Sequence, residues 1–334
     1  MNVRNTEEKK IKKGFILAVF IFISILSFFI SMSNGAVKIS FKEIADVLFT
    51  ESSSVNYQII WNVRLPRTIT AALVGTCLAL SGAILQGIMR NPLAGPNIIG
   101  VSSGAGLMTL IVIILFPNYY YLAPVGSFTG ALLSTLFIYF LAWRDGAAPT
   151  KLILAGVAVS SLLSAGNNII MTFYPDKVSG VIGFMVGGLS SVNWKQVYMI
   201  WPYALTGIVL LMLLPNKLNI LMLGDESAVG LGLNVEKTRF IFIIISSLLA
   251  GAAVSVAGLL GFVGLIVPHM TRLFIGSDYR YLMPATIFTG SATVLLCDTL
   301  ARVLFAPVEI PVGIIMSALG APFFLFLLRR KGEY

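Results

Sequence analysis

The chain has 334 residues, of which 57% are hydrophobic and only 11% charged, whereas a soluble domain carries about 25% charged residues. That composition cannot clothe a water-soluble surface, and the net charge of +9 sits on scattered basic residues rather than on one stripe; both facts exclude a disordered or nucleic-acid-binding chain. Cys77 and Cys297 lie in separate apolar runs and His269 is the single histidine, so no disulfide framework, metal site or cofactor motif is expected.

A spanning helix needs roughly 20 mostly apolar residues. Taken in chain order, residues 14–37 and 68–89 each predict one span, 91–143 predicts two broken at Pro117 and Asn118, and 152–175 and 196–216 predict one each. The run 240–275 is too long for one helix and divides at Gly258 and Gly261, and 281–303 and 310–328 complete the series. The fold expected is all-α: one domain over 1–334 in the lipid bilayer, with about ten transmembrane helices. The first span is longer than the 7 to 15 apolar residues of a cleavable signal.

Basic residues set the orientation. Both termini are rich in Lys and Arg, which places them in the cytoplasm, and 16 of the 23 Lys+Arg then fall on inner segments. The outer exceptions are Lys38, Lys42, Arg64, Arg67, Lys177, Lys195 and Arg302.

No G-x-x-x-x-G-K-[ST] is present, so the chain has no P-loop ATPase site of its own. Asp298 is the one acid well inside a span, and Arg302 follows it four residues later on the same helix face. No intramembrane acid is left over for a proton relay, which counts against an ion-coupled carrier. Gly100-Val101-Ser102-Ser103-Gly104 matches G-x-S-x-G and could be cast with His269 as a hydrolase dyad. A nucleophile elbow needs a strand before it, and here the motif opens an apolar helix, where small residues serve close packing.

Three constellations carry information. Arg64-Leu65-Pro66-Arg67 and Arg302 lie on the side that basic residues avoid, and guanidinium suits bidentate pairing with carboxylates; they read either as a docking surface for an acidic partner or as headgroup anchors. The inner loop 216–237 holds Leu223-Gly224-Asp225-Glu226 and Ala228-Val229-Gly230-Leu231-Gly232. Its acids are placed to start a short helix, and an apolar short helix outside the membrane needs a partner surface. Gly82 to Gly100 and Gly261 to Arg272 are glycine-proline junctions at comparable places in two halves, which suggests an inverted repeat of spans 2–5 and 7–10.

R-L-P-R, G-A-I-L-Q-G-I-M-R-N-P-L-A-G-P-N-I-I-G, L-G-x-x-x-A-x-x-L-G, G-F-V-G-L-I-V-P-H-M-x-R, E-I-P-V-G and G-A-P-F-F follow one another in the order of the FecCD-type permeases, which the chain resembles from about residue 60 to 328. These are membrane subunits of bacterial ABC importers for iron-siderophore, haem and cobalamin. The resemblance implies ten helices in the bacterial cytoplasmic membrane, a second permease subunit (same or homologous) with the path between the two, ATP-binding subunits at the cytoplasmic face and an extracytoplasmic solute-binding protein. It implies a transport subunit for an iron chelate, a ferric siderophore ahead of haem or cobalamin. By matching position, Arg64, Arg67 and Arg302 resemble the arginines that meet acids on the binding protein. Leu223, Gly224, Asp225, Glu226, Ala228, Leu231 and Gly232 resemble the element seated on the ATPase, and Pro149 and Thr150 lie where the family narrows its cytoplasmic gate. A proline at 149 departs from the small hydroxyl residues of some relatives.

Overall fold

The computed structural model describes residues 3–35, 39–40, 42–44, 47, 55–143 and 149–330. Among them there is no strand. Ten principal helices run α1 (Val3–Ser33), α2 (Leu65–Ile88), α3 (Val101–Leu110), α4 (Ala123–Ala142), α5 (Pro149–Phe173), α6 (Trp194–Leu213), α7 (Val235–Ala257), α8 (Val263–Ile275), α9 (Tyr279–Val303) and α10 (Val312–Arg330). Seven are long and apolar enough to cross a membrane, and the segments Val101–Leu115, Val263–Ile275 and Val312–Phe326 are shorter apolar helices.

The buried centre is α2, which packs against α9, α7, α8 and α6. Its side chains explain why: Val74, Leu78, Ile84 and Leu85 are almost wholly buried, and Gly75, Gly82 and Gly87 remove bulk where neighbours cross. A methyl group on Gly75 would run into the Gly290 backbone of α9, and one on Gly82 into the Gly264 carbonyl of α8. Small residues at such crossings let two backbones approach, which is how helices gain packing where the surrounding lipid supplies no hydrophobic drive.

The packing pattern is that of an inverted repeat. The pairs α2–α9, α3–α4, α3–α5, α4–α5 and α2–α8 have counterparts in α7–α4, α8–α9, α8–α10, α9–α10 and α7–α3, so exchanging α2–α5 with α7–α10 reproduces the contact map. The junctions repeat as well. Gly100 (φ 72°) precedes α3 and Phe262 (φ 65°) precedes α8, both left-handed. Gly156 of α5 abuts the Ile98 carbonyl before the first junction, and Gly320 of α10 abuts the Phe262 ring at the second. Sequence identity between the halves is poor, but the backbone conformation recurs.

Three spans differ from the sequence expectation. Helical structure begins ahead of residue 68, at Val55–Ile59, and passes through a π-turn at Ile60–Arg64 into α2; the charged R-L-P-R motif reads as a boundary in sequence, yet its arginines are buried and paired. Residues 91–100 do not belong to a long α3: Asn91 Oδ1 accepts the Leu93 N–H, Pro92 and Pro96 withhold donors, and only a 3₁₀ turn at Pro96–Ile99 interrupts the irregular chain. Likewise α8 is 13 residues long, about 20 Å at 1.5 Å per residue, because the chain turns back at Gly258–Phe262 deep in the bundle, with Gly264 against Leu78 in the middle of α2.

Candidate functional site

At one end of the bundle lies an ionic cluster. The α1 helix ends at Ser33 and leaves carbonyls without intrahelical donors. Arg64 Nη1 donates to Met32 O (2.7 Å) and Ser33 O (3.0 Å), while Arg302 donates to Asn34 O (2.9 Å), Ser31 O (3.1 Å) and Ser31 Oγ (2.9 Å). Two guanidiniums thus cap a helix C-terminus, where the dipole favours positive charge. Asp298 joins the cluster from α9. Its Oδ1 accepts from Arg67 Nη2 at 2.9 Å, and its Oδ2 lies 3.1 Å from Arg302 Nε. Arg67 Nη1 reaches Glu309 at 2.7 Å. Asp298 is 1% exposed and Glu309 36% at the side chain. The Asp298–Arg302 pairing follows from their spacing, but sequence did not reveal that Arg67 shares the same carboxylate. Arg64, Arg67 and Arg302, the three arginines read from sequence as a docking surface or headgroup anchors, are 4–7% exposed in this chain.

The opposite end carries the connection between α6 and α7. Two short helices, Pro215–Met222 and Asp225–Gly230, form there, the second starting at Asp225 and Glu226 as their position favours. Gly224 (φ 106°) and Gly232 (φ 80°) supply the left-handed turns on either side. Asp225 anchors the loop: Arg239 of α7 contacts it at 3.0 Å and Arg90, just past α2, at 3.5 Å. Ala228 is fully buried beneath. Above it Leu223, Val229 and Leu231 are each 62% exposed, an apolar knuckle beside Asp225 and Glu226 at the start of the same short helix. The first short helix is tied down separately. Asn219 Nδ2 donates to Asp278 Oδ1 (2.8 Å) and Asn219 Oδ1 accepts the Tyr279 N–H (2.9 Å) at the start of α9. The side-chain hydrogen bonds from Arg280 hold the Asp278 carboxyl well below the usual carboxylate range; burial opposes them, and the Asn219 hydrogen bond adds a smaller lowering.

Between the ends, α5 is only 17% buried along its span. Ser160, Ser164, Asn168 and Thr172 recur every four residues on one edge of it. With Asn97, Ile98, Gly156, Val157 and Ser161, Ser160 and Ser164 border an open cleft of about 360 Å³. The sequence reading missed this stripe, although the four-residue period of hydroxyl and amide groups in an apolar run was the available signal. Pro149 and Thr150 stand at the first turn of α5, Pro149 half-buried and Thr150 exposed; the approach at 144–148 lies outside the described residues. Ser102 donates to Asn97 Oδ1, and Gly104 packs against Gly130 and Ser134, so G-x-S-x-G opens α3 as a packing motif. Among the described residues no group of three or more His, Cys, Asp or Glu side chains is placed to hold a metal ion.

Ten apolar helices, eight of them in two inverted halves, with a buried ionic cluster at one end and a pinned loop bearing exposed apolar side chains at the other, define a polytopic membrane transport protein. The chain belongs to the FecCD transport family, whose model matches residues 22–330. It is 38% identical over 99% of both chains to the Fe(3+)-citrate import system permease protein YfmE of Bacillus subtilis. It is 36% identical to the hemin transport system permease protein HmuU of Yersinia pestis, over 98% of this chain and 97% of that one. A solved structure described as an inward-facing metal-chelate type ABC transporter superposes with a TM-score of 0.83 at 31% identity, covering 95% of this chain and 99% of the other.

Proposed function

We propose that the chain is the permease subunit of an ATP-driven ABC importer for an iron chelate, a ferric siderophore or ferric citrate ahead of haem or cobalamin. It works in the bacterial cytoplasmic membrane with both termini inside, as one permease domain over 1–334. The observation that carries the reading is the knuckle of Leu223, Val229 and Leu231. Apolar side chains on a short helix beyond the spans, fixed by ionic anchors from α2 and α7, gain by being covered by another protein. The partner is an ATP-binding subunit seated on Leu223, Gly224, Asp225, Glu226, Ala228, Leu231 and Gly232. Energy enters through it, since the chain holds no P-loop.

The stripe on α5 supports a second permease subunit. Hydroxyl and amide groups facing lipid would lose the hydrogen bonds that water supplies, so the stripe lines a path completed by a homologous surface, with Pro149 and Thr150 at its cytoplasmic gate. Solute arrives from an extracytoplasmic binding protein docked over Arg64, Arg67 and Arg302. Among the described residues Arg67 pairs with Asp298 and Glu309, and Arg302 with Asp298; an acid of the binding protein competes with the exposed Glu309 for Arg67. The test is uptake of radio-iron as ferric citrate, as a ferric hydroxamate and as haemin by cells with and without this chain. Dependence on the chain for ferric citrate or the hydroxamate supports the reading; dependence for haemin alone, or for cobalamin alone, moves it to that alternative, and dependence for none of them overturns it.

A further inference from the structure

A buried polar chain leaves the α6–α7 connection and ends in the middle of the bundle. Asn219, on Pro215–Met222, grips the start of α9 through the Asp278 carboxylate and the Tyr279 N–H. Tyr279 is fully buried, and its hydroxyl donates to Ala83 O of α2 at 3.1 Å while lying 3.5 Å from Arg272 Nη2 of α8. Arg272 Nη1 donates to Gln86 Oε1 of α2 at 3.0 Å, and Gln86 Nε2 donates to Leu265 O of α8, also at 3.0 Å. Leu265 adjoins Gly264, the residue on which α8 crosses α2 against Leu78 and Pro96. Gly87 is required at the hub, because a methyl group there would meet the Tyr279 hydroxyl at 2.5 Å.

The links join four pairs of elements: loop to α9, α9 to α2, α9 to α8 and α8 to α2. Only the bond from the Tyr279 N–H to Asn219 serves a helix's own backbone, at the first turn of α9; the others join side chains to helices whose backbone bonds are already made within the helix. Buried polar groups hydrogen-bonded to one another fix the arrangement of the elements they join, and of the buried side-chain polar atoms of Asn219, Tyr279, Arg272 and Gln86 only Arg272 Nε is left without a partner among the described residues. We propose that Asn219, Tyr279, Arg272 and Gln86 form a rigid strut that carries displacement of the 216–237 loop to the α2–α8 crossing, so that motion imposed at the knuckle reaches the junction before α8. The inference rests on the reading of that loop as the ATPase seat. These are positioning residues: they touch neither nucleotide nor solute and act by making loop, α2, α8 and α9 move as one body. Without the strut, the ATPase would still cycle but the crossing would follow it loosely.

The test uses the purified complex of this chain with its ATPase and binding-protein partners in proteoliposomes. Gln86→Leu deletes two links, and Tyr279→Phe deletes the hydroxyl while keeping the ring against Gly87. The control is Thr76→Val, which removes an α2–α9 hydrogen bond (to Ile287 O, 3.1 Å) off the strut. Both strut variants are expected to assemble and hydrolyse ATP at the parental basal rate, while solute moved per ATP falls about 5- to 150-fold, the range typical of a lost coupling between sites. Thr76→Val should leave that ratio unchanged. A parental ratio in both strut variants, or an equal fall in Thr76→Val, overturns the strut. Should Gln86→Leu not fold, Tyr279→Phe alone decides. Failure of the parental chain to bind the ATPase subunit would instead remove the reading of the loop, and is seen before any variant is compared.

Discussion

Replacing Asp298 by Ala is the most informative single perturbation of the ionic cluster. The carboxylate is 1% exposed and serves Arg67 and Arg302 together at 2.9 and 3.1 Å. Its removal leaves two buried guanidiniums short of their common anion, and breaking a buried pair by deleting one partner costs about 3–5 kcal/mol. Two features reduce the loss. Arg67 keeps Glu309 at 2.7 Å, and Arg302 keeps the carbonyls of Ser31 and Asn34. A destabilisation of about 3 kcal/mol, at the lower end of that range, is therefore expected. The double variant Asp298→Ala with Arg67→Met should be less unstable than the sum of the singles, because both remove the same contact and neighbouring sites are not additive. The assay is unfolding in mixed micelles titrated with a denaturing detergent, read by near-ultraviolet dichroism. Additive effects, or a single Asp298→Ala variant as stable as the parent, would refute the account of a buried, shared carboxylate.

Gly82→Ala should destabilise by about 1–3 kcal/mol or more, as overpacking does, since its methyl group meets the Gly264 backbone; Gly261→Ala, with nothing within 4 Å of the added carbon, should be neutral in the same detergent titration. Leu231→Asp should abolish co-purification of an ATP-binding subunit while membrane insertion persists, because a charge would replace a side chain 62% exposed at the proposed contact. Asp278 has its folded-state pKa depressed, so its contribution is fully present above the ordinary carboxylate range near about 3.9 and disappears as pH falls through the lower folded value. The stability difference between the parent and Asp278→Asn should accordingly stay constant from about pH 8 to about pH 5, well above that range. Unfolding midpoints that converge within that window would contradict it.

Much of the architecture was legible because lipid imposes a long, easily read period: ten apolar segments, broken where glycine and proline fall, gave the helix count and the division at Gly258. The short helix at Asp225 was legible from its two leading acids and the glycines around it. What escaped were features set by tertiary pairing. Arg64, Arg67 and Arg302 are charged residues at span ends, and sequence has no means of telling a guanidinium turned toward solvent from one capping the carbonyls of α1 more than 30 positions away. The early helical start at Val55 was hidden for the same reason, since R-L-P-R resembles a boundary until its charges are neutralised. The Asn219–Tyr279 latch joins residues about 60 apart, and neither residue type signals a partner at that distance. The stripe on α5 is encoded in the four-residue period of Ser160, Ser164, Asn168 and Thr172, but four small polar residues barely lower the apolar character that marks a span.

The most direct test of the account is uptake by proteoliposomes holding this chain, its ATPase partner and a binding protein loaded with radio-iron chelate. Uptake that requires ATP on the Asp225 side, stops when the ATPase subunit is omitted and persists when proton and sodium gradients are collapsed is the predicted result. Accumulation by the chain alone, driven by either gradient without ATP, would contradict it.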